Sequence, residues 1–273
     1  QPGYRRERFF VRKFLVSVLM LILLSSLLGT DVQAYSEFLD KENLEYGVVG
    51  VTYPKEDSIR YKVAISKGSE TYYYDYIGPG IEFYPLQLGN GEYEISLLKN
   101  VSGSKYMVVH NDTVRLNLDN ENVIYLQSIQ NVHYEPEMSA IKKAEELTDG
   151  LSNNFDKVKA VYRFIVSNME YDYNFGSKMD KPYVPDIEKT YTTRKGVCYD
   201  FASLFAAMLR TQGIPVKLVK GYSNNIEGYH AWNEVLIDGT WVTIDTTYDL
   251  TMKGYKELSM IKNKSEYMPE KYY

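Results

Sequence analysis

The chain has 273 residues, 44% hydrophobic and 25% charged, with a net charge of −5. That balance fits one or two globular domains with a real core. Residues 1–34 carry +3, so the rest carries −8 without a basic block, which argues against a nucleic-acid partner. A single cysteine excludes an intramolecular disulfide and leaves one free thiol to account for.

The first segment reads as targeting. "RRERFFVRK" is followed by an apolar run from Phe14 to Leu28, then by "TDVQA" with Val32 and Ala34 before Tyr35. A basic region, a short apolar stretch and a small-residue site describe a signal peptide over residues 1–34. The run is short for a helix that spans a bilayer. The expectation is a secreted or cell-surface protein that contacts the membrane only through this segment, if it is retained. No cysteine lies there for a lipid anchor.

Residues 35–130 read as an all-β, Ig-like sandwich. "YGVVGVTY", "SIRYKVAIS", "ETYYYDYI", "EYEISLLK", "KYMVVHN" and "TVRLNL" are β-branched, aromatic or alternating. Turn clusters separate them, with "KGSE" and "GNGE" as candidate hairpin turns. Many of the 27 tyrosines fall here, as expected for half-buried sheet faces. No catalytic grouping is visible, and His110 is isolated, so the segment reads as a spacer or adhesion module.

Residues 131–273 read as an α+β domain. Met138, Ile141, Ala144 and Leu147 recur at helical spacing, as do Phe155, Val158, Val161, Tyr162, Ile165 and Met169. A long loop is expected from residue 170 to 196, a length that is often functional. "CYDFASLFAAMLRTQG" is a helix with a broad apolar face, closed by Gly213 and Pro215. "IPVKLVKGYS" is a strand, and "YSNNIEGY" after it is expected to be a mobile flap over a cleft. "YHAWNEVLIDGTWVTIDTTYD" reads as two strands around a two-residue Asp238-Gly239 turn.

The only cysteine, Cys198, falls at the first turn of its helix. Free N–H groups and a partial positive charge there favour a thiolate and could hold an oxyanion. The hairpin supplies partners. With Asp238 and Gly239 as the turn, Ile237 faces Thr240, Glu234 faces Thr243, Trp232 faces Asp245 and His230 faces Thr247. His230, Trp232 and Asp245 then share one face, with His230 and Asp245 as diagonal neighbours. An Asp in that place can hold one ring nitrogen and aim the other at a nucleophile. The other histidines, His110 and His133, show no ligand spacing, so no metal is expected. No phosphate loop or dinucleotide fingerprint implies a cofactor.

"TTRKGVCYDFASLFAAMLRTQGIPVKLVKGY" followed by "YHAWNEVLIDGTWVTIDTTYD" resembles the core of the transglutaminase-like superfamily, papain-like cysteine enzymes common among secreted bacterial proteins. The resemblance rests on Gly-Val-Cys with an acidic residue two on, the "LR-x-x-GIP" helix exit, "HAW-x-EV" and "W-x-x-x-D". It covers residues 136–249. It implies Cys198 as nucleophile, His230 as base and Asp245 as orienting acid. It implies a structural place near the site for Asp200, which holds the helix start, and for Trp232. A second oxyanion donor is expected from "YDYNF", with Tyr173 favoured over Tyr171.

The reading is an exported cysteine-dependent acyl transferase or amide hydrolase. Its expected substrates are proteins or peptidoglycan peptides at a cell surface or wall, with hydrolysis favoured over cross-linking. The rival is a non-catalytic surface-binding or adhesion module on the same fold.

Overall fold

The structure is a computed structural model that describes residues 38–54, 56, 58–176, 183–254 and 258–273. The expected signal peptide, residues 1–34, lies outside the described residues. Among the described residues no helix is long and apolar enough to cross a membrane.

Strand-forming sequence gives two antiparallel sheets first. Strands β1 (Leu39–Asp40), β2 (Val48–Val51) and β5 (Glu82–Pro85) form one, in the order β1-β2-β5. Strands β3 (Tyr61–Lys67), β4 (Glu70–Tyr76), β6 (Gly91–Ser102) and β7 (Lys105–Leu116) form the other, in the order β4-β3-β6-β7. Alternation decides the faces: Tyr72, Tyr74 and Tyr76 point inward from β4 and meet Val63, Ile65, Tyr93, Ile95 and Leu97 in the core. Buried tyrosines need partners for their hydroxyls. Tyr93 donates to the Leu86 carbonyl at 2.8 Å and Tyr84 to Glu82 at 2.6 Å.

The "KGSE" stretch makes the expected two-residue hairpin, with Lys67 paired to Glu70 and Gly68 at φ +60°. "GNGE" does not. It carries the chain from β5 in one sheet to β6 in the other. Asn90 serves that crossing by accepting from the Leu118 N–H at 2.7 Å and donating to its carbonyl at 2.8 Å.

The second half is a mixed α/β arrangement. Helices α1 (Ser139–Thr148) and α2 (Asn154–Asn168) follow the two apolar periodicities. Asn153 caps α2 by accepting from the Asp156 N–H at 2.8 Å. The stretch expected as a loop has structure of its own. β8 (Glu170–Tyr171) pairs in parallel with β9 (Lys195–Gly196), and α3 (Tyr173–Gly176) and α4 (Ile187–Thr193) lie between them. Two-residue strands carry too little sequence to show a period.

Helix α5 (Cys198–Arg210) is buried along nearly its whole length. It packs against a five-stranded antiparallel sheet in the order β13-β12-β11-β10-β14. These strands are Ile261–Lys262, Thr240–Ile244, Ile226–Ile237, Val216–Ser223 and Tyr267–Tyr272. Arg210 closes α5 from a fully buried position. It donates to the carbonyls of Val216, Gln127 and Tyr273, tying helix end, linker and last strand together. Residues Phe38–Tyr273 form one compact unit, and one hydrophobic core runs through both halves.

Candidate active site

Cys198 opens α5, and its placement is built by its neighbours. The Val197 N–H donates to the Asp200 carboxylate at 2.8 Å, so an acidic side chain two residues past the cysteine folds back to fix the helix start. Tyr183 donates to the other Asp200 oxygen at 2.5 Å. Burial raises the proton affinity of Asp200, and these two hydrogen bonds hold that rise in check. Gly196 is required by the same fold-back: a Cβ there would come within 2.8 Å of the Asp200 Cβ. The words "GVCYD" thus describe one object, a helix start locked around a half-buried thiol.

The Asp-Gly hairpin has the expected register, from Ile237 opposite Thr240 to Asn233 opposite Ile244. Asp238 and Gly239 both take positive φ, at +50° and +79°. The expectation fails one residue later. β12 stops at Ile244, so Asp245 and Thr247 do not pair across from Trp232 and His230. Asp245 instead caps α6 (Thr246–Met252), accepting from the Tyr248 N–H at 2.9 Å. An acidic residue before "TTYD" satisfies the free amides of a helix better than it serves a strand.

This change brings Asp245 to the histidine by another route. His230 Nε2 donates to Asp245 Oδ2 at 2.8 Å, with both side chains buried. Burial works against a charged ring, yet the Asp245 carboxylate, followed by a hydrogen bond from the ring to Cys198, outweighs it and lifts His230 to about 9. With Nε2 committed to the carboxylate, Nδ1 is left for the thiol. Trp232 stacks beside the His230 ring, with centroids 6.0 Å apart and the planes 27° from parallel.

Two further tyrosines belong to the site. Tyr267 donates to Asp245 Oδ2 at 3.1 Å and packs on Trp232. It comes from β14, in a tail without periodicity or motif, so no sequence signal pointed to it. Tyr183 is equally silent in sequence. Behind Asp245, Asp249 accepts from Tyr162 at 2.7 Å and from Lys262 at 2.5 Å, a second buried acid that supports α6.

The Tyr171 and Tyr173 rings meet at a tilt of 55°, with centroids 4.9 Å apart. Tyr173 is 71% exposed. Tyr171 is half-buried on β8, paired to Gly196, and its phenol is pushed up to about 12 by burial and then by Cys198. The stretch expected as a flap, residues 222–229, is the closed end of the β10–β11 hairpin. It is held to the tail by Asn224 N–H to the Glu266 carbonyl at 2.9 Å and Asn225 Nδ2 to Glu266 at 2.9 Å. Among the described residues no group of three or more His, Cys, Asp or Glu side chains could hold a metal ion.

Residues 141–246 match the transglutaminase-like superfamily. Human kyphoscoliosis peptidase is 30% identical over 132 residues, 42% of this chain and 19% of that protein. The uncharacterized protein YebA of Bacillus subtilis is 33% identical over 129 residues, 40% of this chain and 17% of that protein. The matched segment thus spans under a fifth of these relatives' length. Among solved structures, a candidate cysteine protease from Cytophaga hutchinsonii is similar at 24% identity and a TM-score of 0.42, over 58% of each chain. The segment similar to the transglutaminase-like superfamily, residues 141–246, is the one that holds Cys198, His230 and Asp245.

Proposed function

We propose that this chain is an exported cysteine-dependent enzyme that cleaves amide bonds in protein or peptide substrates, cell-wall peptides included. The observation that carries the reading is the buried His230–Asp245 pair, whose remaining ring nitrogen serves the thiol at the start of α5. In this reading His230 takes the Cys198 proton and the sulfur attacks the carbonyl carbon. The C–N bond then breaks, and the imidazolium protonates the leaving amine. The product is a thioester. Water releases a carboxylic acid, with its proton passing through His230, whereas a second amine would give a cross-link. Similarity to human kyphoscoliosis peptidase, named as a hydrolase of peptides, supports water as the favoured acceptor.

The N–H groups at the start of α5 would hold the oxyanion, with a phenol as the second donor. Tyr171 is the better placed of the two candidates, because Tyr173 faces solvent. The two N-terminal sheets, with three and four antiparallel strands, are read as an Ig-like sandwich over residues 35–130 that presents the catalytic domain of residues 131–273. A signal peptide over residues 1–34 would deliver both to the cell surface.

The test is turnover of peptide, isopeptide and peptidoglycan-stem substrates, with amine incorporation measured in parallel. Wild type is expected to release acid product, and Cys198→Ala is expected to lose at least about 10⁴-fold. Equal turnover by the two proteins would end the enzymatic reading. A second reading, a binding module, has one observation in its favour. An open cleft of about 810 Å³ lies on the β4-β3-β6-β7 sheet, lined by Arg60, Lys62, Tyr73 and Tyr106 among others. If binding is the whole function, Cys198→Ala will retain surface binding and no substrate will turn over.

A further inference from the structure

Strand β4 uses only one of its faces for the core. Tyr72, Tyr74 and Tyr76 are buried, while Tyr73 and Asp75 between them point outward, with Tyr73 61% exposed. The register carries this outer face across the sheet. Asp75 lies opposite Lys62 on β3, Lys62 opposite Leu98 on β6, and Asn100 opposite Tyr106 on β7. Arg60 extends the face from just before β3, where its carbonyl accepts from the Asn100 N–H at 2.9 Å. The cleft of about 810 Å³ lies here, within the roughly 300–1,000 Å³ of small-ligand sites.

We propose that this cleft binds a linear glycan that bears carboxylates, with Arg60 as the counter-charge and Tyr73 and Tyr106 as platforms for the sugar rings. Charge is the first argument. The chain as a whole carries −5, yet two cations, Arg60 and Lys62, line this cleft two residues apart. Lys62 is neutralised by Asp75 at 2.8 Å. Arg60 donates to the Gly103 carbonyl at 2.7 Å, a partner without charge, and among the described residues no carboxylate pairs with it. A guanidinium has five N–H donors in a fixed fork, a shape that fits a carboxylate.

The place of the cleft favours a sugar over a peptide. A peptide adds to a sheet through its backbone, at a free edge. Lys62 and Leu98 lie on β3 and β6, central strands with a neighbour on each side, so the cleft offers side chains instead. Those side chains mix donors and acceptors. The Lys62 ammonium donates, and the Asp75 carboxylate beside it accepts. Hydroxyl groups do both, so a sugar meets a partner in either role. Tyr73 and Tyr106 add aromatic surface with a polar tip, suited to a ring that is apolar on its faces and polar at its edge. Lys62 Nζ lies 5.8 Å from the centre of the Tyr106 ring, so charge and aromatic surface adjoin.

The experiment is binding of the full chain to polygalacturonate, by retardation in affinity gels and by titration calorimetry. Fully methyl-esterified polygalacturonate keeps the rings without the charge, and polyglutamate keeps the charge without the rings. Wild type is expected to bind polygalacturonate and to bind each comparison polymer roughly tenfold more weakly or worse. Arg60→Gln is expected to weaken binding roughly tenfold and Tyr73→Ala about fivefold. Both side chains are exposed, so near-ultraviolet circular dichroism should not change. Absence of binding by wild type would overturn the proposal, as would equal binding of either comparison polymer or wild-type affinity in both variants. Loss of native packing in both variants would also overturn it, because the two residues would then be structural. The inference goes beyond amide cleavage and does not depend on it. Cys198→Ala is expected to bind polygalacturonate as wild type does, and Arg60→Gln to turn over a short peptide unchanged, so either reading can fail alone.

Discussion

The N-terminal sheets and the C-terminal sheet are both antiparallel, and both bury tyrosine. They differ in the polar side chains they bury. Among the described residues from 38 to 116, the buried polar side chain is Ser96. In the C-terminal half Asp200, Arg210, His230, Glu234, Asp245 and Asp249 are all buried. A charge removed from water is costly unless its hydrogen bonds are replaced, so each of these needs an explanation. Most have a structural one. Arg210 spends its donors on carbonyls at element ends, and Asp200 holds a helix start. His230 differs from both. One ring nitrogen is fixed by Asp245, and the other is left for a thiol. What marks the site is a valence that the fold itself does not use.

Asp245→Asn breaks this distinction most strongly. The amide can still cap α6 but cannot stabilise an imidazolium. Activity is expected to fall on the order of 10³-fold. The alkaline limb of the rate profile, expected near pH 9 in wild type from loss of the His230 proton, should move down toward 6.5. Stability should follow the same sign. A raised histidine contributes fully below 6.5, and the contribution is lost as pH rises through about 9. The difference in Tm between wild type and variant should therefore shrink from pH 6 to pH 10. An unchanged alkaline limb would mean that another group sets it.

The opposite half should respond in stability alone. Ile95 is fully buried in the core, opposite Ile65 on β3. Ile95→Ala is expected to cost about 2–5 kcal/mol, read as a lower denaturant midpoint, with activity per folded molecule unchanged. A fall in activity of the folded fraction would show that the two halves are coupled beyond their shared core.

The sequence made the C-terminal half legible in proportion to how local its signals are. An Asp-Gly turn sets a hairpin register, and the register from Ile237 to Asn233 could be counted from it. Asp200 was legible as a helix-start acid because the interaction closes within three residues. Asp245 was legible as a partner of His230, but by a strand pairing that does not occur; the contact is made from a helix cap. A strand and a cap can bring one carboxylate to one place, and alternation alone does not separate them. β8 and β9 are too short for any period, and Tyr183 and Tyr267 reach the site from loop and tail by tertiary packing.

Tyr267 gives the smallest effect and the finest test of the comparison. Among the described residues its hydroxyl donates to Asp245 beside His230 and the Tyr248 amide, while its ring packs on Trp232. Tyr267→Phe keeps the ring and removes one hydrogen bond, a change of about 1 kcal/mol. Activity is expected to fall a few-fold. The direction of the pH shift carries more information than the rate. Without the Tyr267 donor the carboxylate holds more charge for His230, so the alkaline limb should stay at about 9 or rise. Asp245→Asn moves that limb the other way. A downward shift in Tyr267→Phe would mean that the tyrosine positions Asp245 rather than sharing its charge, and that the carboxylate swings off Nε2 when the hydroxyl is gone.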